Sequence, residues 1–196
     1  MRSTRTFVAL AAITLTLGLG AAPLAATPAA SSAPAGSALR AAPYCGITWG
    51  SLPDVDPDYT GARIVNLRAG RHTCYDRLVV DLGPGLSPGY DVRYVSQVTL
   101  DGSGAALPLS GGAFLQVLVR APAHDDYGRP TYSPADRYHA VNVSGFTTFR
   151  QVAWGATYEG QSTIGLGVRA RLPFRTFVLR SADGGSRLVI DVAHRW

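Results

Sequence analysis

Lysine is absent from the 196 residues, and all 18 basic side chains are arginine. Beside the Ala, Gly and Pro content, this reads as the imprint of a GC-rich coding sequence rather than a choice of chemistry. No dense basic run occurs, because Arg is interleaved with Asp along the chain. The formal net charge of +5 falls to +3 once Arg2 and Arg5 are set aside, which excludes nucleic acid as a partner. Glutamate occurs once, at Glu159, so a glycosidase-like carboxylate pair would have to recruit an Asp. The four His are scattered and form no H-x-x-x-H or H-E-x-x-H pair. No G-x-S-x-G occurs either, since Gly160-Gln161-Ser162-Thr163-Ile164-Gly165 has the wrong spacing for a nucleophile and its base. Of the enzymatic readings, only an Asp-based hydrolase survives, and no constellation points to it. No catalytic residue is assigned.

A long apolar run is present only once. Arg2 and Arg5 precede an apolar stretch from Phe7 to Leu19, and small residues follow to Ala30. That is the order of a secretory signal peptide, expected at 1–26 with cleavage after Ala26 or Ala29. The run falls short of the roughly 20 residues that a membrane span needs, so no stable span is expected. No Cys follows at lipobox spacing. Residues 27–43 are Ala, Ser, Pro and Gly with one Leu and one Arg, the composition of a disordered linker. Residues 44–196 are enough for one domain with one core.

Cysteine is scarce too. Cys45 and Cys74 are the only two, without C-x-x-C spacing, and in an exported chain a disulfide is their simplest reading. Closing a loop of about 30 residues stabilises by roughly 3 kcal/mol in the chain-entropy model. Metal signals are incomplete. Asp54, Asp56 and Asp58 have the spacing of a calcium loop, but Tyr59 and Val65 stand where Gly and Glu belong. His124-Asp125-Asp126 are adjacent on a loop, a common solvated pattern. Neither a metal nor a cofactor is expected.

What is present in quantity is period-two alternation. Arg77-Leu78-Val79-Val80-Asp81-Leu82 returns as Arg187-Leu188-Val189-Ile190-Asp191-Val192. Each copy has one apolar face, while Arg, Val and Asp lie on the other. Arg and Asp four positions apart stand about 13 Å apart along a strand, so they are placed to meet charges on a neighbouring strand instead. The repeat is either two core strands that share composition by chance or a duplicated β-hairpin. Val79 and Val189 lie on the second face, where substitution is expected to cost less if that face meets solvent and as much if both faces are buried. Further strands are expected over Ile64–Arg68, Tyr90–Leu100, Ala106–Leu109, Phe114–Val119, Val141–Trp154 (one or two strands around Ser144-Gly145), Ile164–Leu172 and Phe174–Leu179, with a turn over Gly155–Gln161. No helical period appears. The fold class is all-β, a single sandwich or open barrel of nine to ten short strands.

Several strings together resemble the AMIN-like domain proteins of actinobacteria. They are Tyr44-Cys45-Gly46-Ile47-Thr48-Trp49-Gly50, the Cys74–Asp81 strand, Phe149-Arg150-Gln151-Val152-Ala153-Trp154-Gly155, Gly165–Phe174 and the ending Arg187–Trp196. The name compares that group with the AMIN domain of cell-wall amidases and secretins, a small β-sandwich that tethers its partners to peptidoglycan. The resemblance implies a non-catalytic, extracytoplasmic module associated with the cell wall, with peptidoglycan or another envelope component as partner. It carries over no defined chemistry.

Glycan strands offer sugar faces, amides and carboxylates; aromatic rings stack on the first and Arg forks pair with the last. The candidate ligand-binding residues are Arg150, Gln151, Trp154, Tyr158, Glu159 and Gln161 around one turn, with Arg169 and Arg171 nearby in sequence. The alternative is a secreted subunit or inhibitor that binds an exported protein through the polar loop at 122–139, which is long enough to be functional.

Overall fold

The two copies of the repeated string are hydrogen-bonded to each other. In the computed structural model, which describes residues 43–196, β3 (Tyr75–Leu82) and β9 (Ser186–Ala193) run antiparallel with Arg77 opposite Asp191, Val79 opposite Val189 and Asp81 opposite Arg187. Two like strings paired head to tail are related by a local two-fold at Val79–Val189, so each copy's Arg stands opposite the other's Asp. β2 (Ile64–Arg71) pairs with β3, and β8 (Phe174–Arg180) pairs with β9. The sheet therefore has the order β2-β3-β9-β8, two hairpins joined at their inner strands. The expected signal peptide and all of the expected linker except Pro43 lie outside the described residues.

The second sheet holds β1 (Asp54–Asp56), β4 (Tyr90–Val95), β5 (Ala113–Val119), β6 (Phe149–Tyr158) and β7 (Gln161–Val168), in the order β1-β4-β5-β7-β6. Every strand pairing is antiparallel. No named strand pairing joins the sheets among the described residues, so the fold is a sandwich of nine strands and not a barrel. Leu78, Val80, Leu188 and Ile190 of the smaller sheet meet Val92, Val117, Ile164 and Leu166 of the larger in one fully buried core. The only helical turn described is the 3-10 turn Tyr44–Gly46, which the Cys45–Cys74 disulfide ties to the start of β3.

Two expectations about the strands are corrected, and one left open is decided. β4 ends at Val95, and Ala106–Leu109 is not a strand but a strap across the outer face of the larger sheet. Gly165 and Gly167 make room for it: a Cβ at Gly165 would stand 2.9 Å from Leu109, and one at Gly167 only 2.0 Å from the Ser110 carbonyl. β6 begins at Phe149, not Val141, and bulges at Arg150 and Gly155 carry it on to Tyr158. The turn thus shrinks to Glu159-Gly160, both at positive φ. Finally, Val79 and Val189 do not face solvent; they are 4% and 1% exposed. Arg68 and Phe177 flank them in the same row, while Arg77–Asp191 and Asp81–Arg187 flank them in the rows on either side.

The long loop at 122–139 closes one open side of the sandwich. Ile64 N–H donates to Pro122 O (2.8 Å) and the Thr131 hydroxyl donates to Ile64 O (2.7 Å), fixing it to β2. Trp154 N–H donates to Arg137 O (2.7 Å) and Ala140 N–H to Val152 O (2.9 Å), so Arg137–Ala140 covers the edge of β6. At the opposite side, Asp54 accepts from Thr176 N–H. At one end, buried Asp76 accepts from the backbone N–H of Thr148 (2.5 Å) and Phe149 (3.0 Å) and faces His194 Nε2 at 3.1 Å.

Because both faces of the β3–β9 pair are buried, Val79→Ala and Val189→Ala each cost on the order of 2 kcal/mol, as Val80→Ala does on the core side. Urea denaturation of the three variants checks this. A loss confined to Val80→Ala contradicts the burial of the outer row.

Candidate functional site

The two outer faces of the sandwich differ. That of the larger sheet is covered by the chain itself: Val98, Leu107 and Ala153 form a second small core with Leu100, Leu109 and Phe114. Among the described residues, no such strap crosses the smaller sheet. Its outer face is a grid of three rows, Gly70-Arg77-Asp191-Arg175, Arg68-Val79-Val189-Phe177 and Asn66-Asp81-Arg187-Leu179. Four Arg there stand against two Asp. At one end Trp49 and Tyr75 meet edge to face, with ring centroids 6.0 Å apart.

Asp191 organises this face. Its carboxylate is completely buried and accepts a fork from Arg77, with Nε at 2.6 Å and Nη2 at 2.9 Å. Arg175 adds Nε at 2.9 Å and Nη2 at 2.7 Å. Hydrogen bonds to Asp191 raise the Arg77 pKa further above the ordinary guanidinium value. The two guanidiniums also lie against rings, Arg175 at 4.9 Å from the Phe177 centroid and Arg77 at 5.2 Å from that of Tyr75. At the two-fold-related end the pattern is incomplete. Asp81 takes Arg68 Nε at 2.8 Å and Nη2 at 3.0 Å, with Asn66 at 3.3 Å, whereas the buried Nε of Arg187 directly opposite has no partner among the described residues.

A second concavity, of about 550 Å³, lies between the 122–139 loop and β6. Trp154, 9% exposed, and Tyr132 form part of its wall with rings edge to face at 5.0 Å. Arg137 joins them, its Nη2 donating to Gly155 O at 2.7 Å. Burial pushes the Tyr132 hydroxyl up to about 12, as it does those of Tyr90 and Tyr94.

The sequence-predicted residues fall apart into groups. Arg150 and Gln151 sit at the start of β6, whereas Tyr158, Glu159 and Gln161 sit at the far hairpin tip, about 26 Å away along the strand. They do not surround one turn. The Arg150 guanidinium donates to the carbonyls of Phe146, Thr147 and Phe149. Gln151 is buried, accepting from Ser110 N–H (2.7 Å) and donating to Tyr138 O (2.8 Å), so it clamps the strap and the loop to β6. Gln161 bonds Asp101 and Tyr59 across the hairpin tip. Arg169 reaches His194 O, while Arg171 donates to Ser51 O (3.2 Å) and lies 4.8 Å from the Tyr94 centroid. Trp154 lines the side concavity. In the 122–139 loop, Asp125 holds Arg129 Nε at 2.6 Å, and Asp126 pairs with Arg63 at 2.6 Å.

Sequence reasoning passed over Arg68, Arg77, Arg175, Arg187, Trp49, Tyr75 and Phe177 as a set. The signal was available in part: the R-L-V-x-D repeat puts its charges on one face, and Arg175-x-Phe177 continues the same parity.

Two outcomes follow from this chemistry. Asp191→Asn leaves two guanidiniums sharing a neutral amide and destabilises the protein by about 3–5 kcal/mol, measured by urea denaturation; a change near zero contradicts the anchoring role. For Tyr90, Tyr94 and Tyr132, pKa values raised from 10.0 to about 12 mean that the unfolded chain ionises first. Stability is fully retained below about pH 10 and falls as pH rises from about 10 to 12. A phenolate absorbance titration in which all nine tyrosines ionise together near pH 10 contradicts this.

Comparison with known protein families matches the AMIN-like domain over residues 62–194, which takes in all of β2 to β9. No curated protein matches the chain.

Proposed function

Because the chain belongs to the AMIN-like domain family, we propose that it is an exported, non-catalytic module that holds to the cell wall by docking peptidoglycan on the outer face of the smaller sheet. AMIN-like domains are generally binding modules of the envelope rather than catalysts. The disulfide accords with an extracytoplasmic setting, and no helix among the described residues is long and apolar enough to cross a membrane.

The observation that carries the reading is Arg187. It stands on a face with four Arg against two Asp, and among the described residues its Nε lacks the partner that Arg77 finds in Asp191, so positive charge is in excess there. Stem-peptide carboxylates of peptidoglycan complement that excess, and Trp49, Tyr75 and Phe177 offer rings to sugar faces at the other end of the same face. Rigidity helps, because a guanidinium held on a paired strand loses little freedom when it binds. A reaction is no part of this reading.

Co-sedimentation of the purified protein with insoluble peptidoglycan tests it. The wild type pellets with the sacculi. Arg187→Gln weakens binding about tenfold at low salt, the loss of a charge-assisted hydrogen bond. The difference narrows above about 0.1 M salt, where exposed charges are screened beyond about 10 Å. Arg150→Gln, whose side chain caps its own strand's carbonyls, leaves binding unchanged if the sheet face is the site. A drop with Arg150→Gln but not Arg187→Gln moves the site to the start of β6. A wild type that stays in solution at every salt concentration ends the wall-binding reading and favours a protein partner at the 122–139 loop.

A further inference from the structure

The side concavity has features that closing the sandwich does not require. The loop that forms it is fixed before any ligand arrives: Thr131 N–H donates to Ala123 O (2.9 Å), Ala123 N–H to the Thr157 hydroxyl (3.1 Å), and Trp154 N–H to Arg137 O (2.7 Å). A binding wall built this way needs no ordering when it is used. Its volume of about 550 Å³ lies in the range of small-ligand sites.

Its chemistry is one-sided. Among the described residues, neither the Tyr132 hydroxyl nor the Trp154 indole N–H has a hydrogen-bond partner, and both side chains line the space, Trp154 from the edge of the core. Arg137 uses one Nη2 on Gly155 O and His124 uses Nδ1 on Asp125 O, so the remaining nitrogens of both are free of described residues. Among the described residues no carboxylate lines the space, and Arg137 is the one permanent charge that does. Aromatic rings, spare donors and a lone guanidinium suit a ring with an apolar face, polar edges and a negative charge.

We propose that the concavity between Tyr132, Arg137 and Trp154 is a binding subsite for an acidic sugar, a pyranose whose carboxylate faces Arg137 and whose ring lies against the Trp154–Tyr132 wall. The site stands apart from the outer sheet face, so a module held to the wall there can still take an acidic glycan at its side. The Tyr132 hydroxyl and the Trp154 indole N–H donate to ring and hydroxyl oxygens. A neutral sugar fills the same space without the ionic contact, and a bare carboxylate lacks the ring contact. Both therefore bind more weakly.

Titration of the purified protein with a hyaluronan tetrasaccharide, which carries glucuronate, tests the proposal against chitotetraose, which is uncharged. Calorimetry reads the affinity, and the indole N–H resonances read the place. Trp154 is assigned by the loss of its peak in Trp154→Phe. The expected result is saturable binding of the acidic oligosaccharide, with chitotetraose at least about fivefold weaker and the Trp154 peak shifted. Tyr132→Phe keeps the ring and lowers affinity about fivefold, the loss of one hydrogen bond. Arg137→Gln abolishes the preference for the acidic sugar. No binding at millimolar concentration, equal binding of both sugars, or saturation without movement of the Trp154 resonance overturns it. If either variant unfolds, the wild-type titration and the Trp154 shift still decide. Peptidoglycan sedimentation is read separately, so loss of one site leaves the other's result intact.

Discussion

The buried Asp191 carboxylate constrains everything around it. A completely buried carboxylate is tolerable only if its charge is met at close range, and Arg77 and Arg175 meet it from the two strands beside β9. The Arg77 contact requires β3 and β9 to pair in one register, and the Arg175 contact requires β8 to follow β9 in its own. A slip by one residue turns Leu188 and Ile190 to the outside and buries Arg187. Register, the core and the layout of charges on the outer face are thus one decision. The same decision sets Arg187 opposite an Asp81 that Arg68 and Asn66 already hold, and so leaves a donor over.

The asymmetry of the sandwich follows from small residues. Gly165 and Gly167 in β7 have no side chain to keep Leu109 and Ser110 away, so the strap closes over the larger sheet and builds a second apolar layer on it. Gln151 then locks strap and loop to β6 through both ends of its amide. The smaller sheet carries long charged and aromatic side chains at the equivalent depth, and their stems and rings take the place of a covering segment over Val79 and Val189. One face is closed by backbone and the other by side chains. The second gathers four guanidiniums on adjacent strands.

The side of the sandwich shows a third solution. The loop at 122–139 carries its polar backbone across the gap between β2 and β6 by bonding both edges, which an irregular segment must do when it is partly buried. Its polar composition suggested an exposed functional arm. Its ends are instead structural, and the concavity they enclose is the part with free donors.

Period-two alternation, the scarcity of any helical pattern and the turn chemistry determined an all-β domain, sandwich or open barrel, from the sequence by itself, because strand faces are local. The repeat also announced that Arg and Asp share a face and must find partners across strands. Tertiary structure alone decided that the two copies pair with each other, that Val79 and Val189 lie beneath a layer of arginines, and that Arg150 and Tyr158 end far apart on one strand that bulges through Gly155. Which Asp holds two guanidiniums, and which Arg is left with none to bind, depends on rows of four strands drawn from both ends of the chain. Local pattern has no access to that pairing, since one residue of register exchanges the faces of a whole strand.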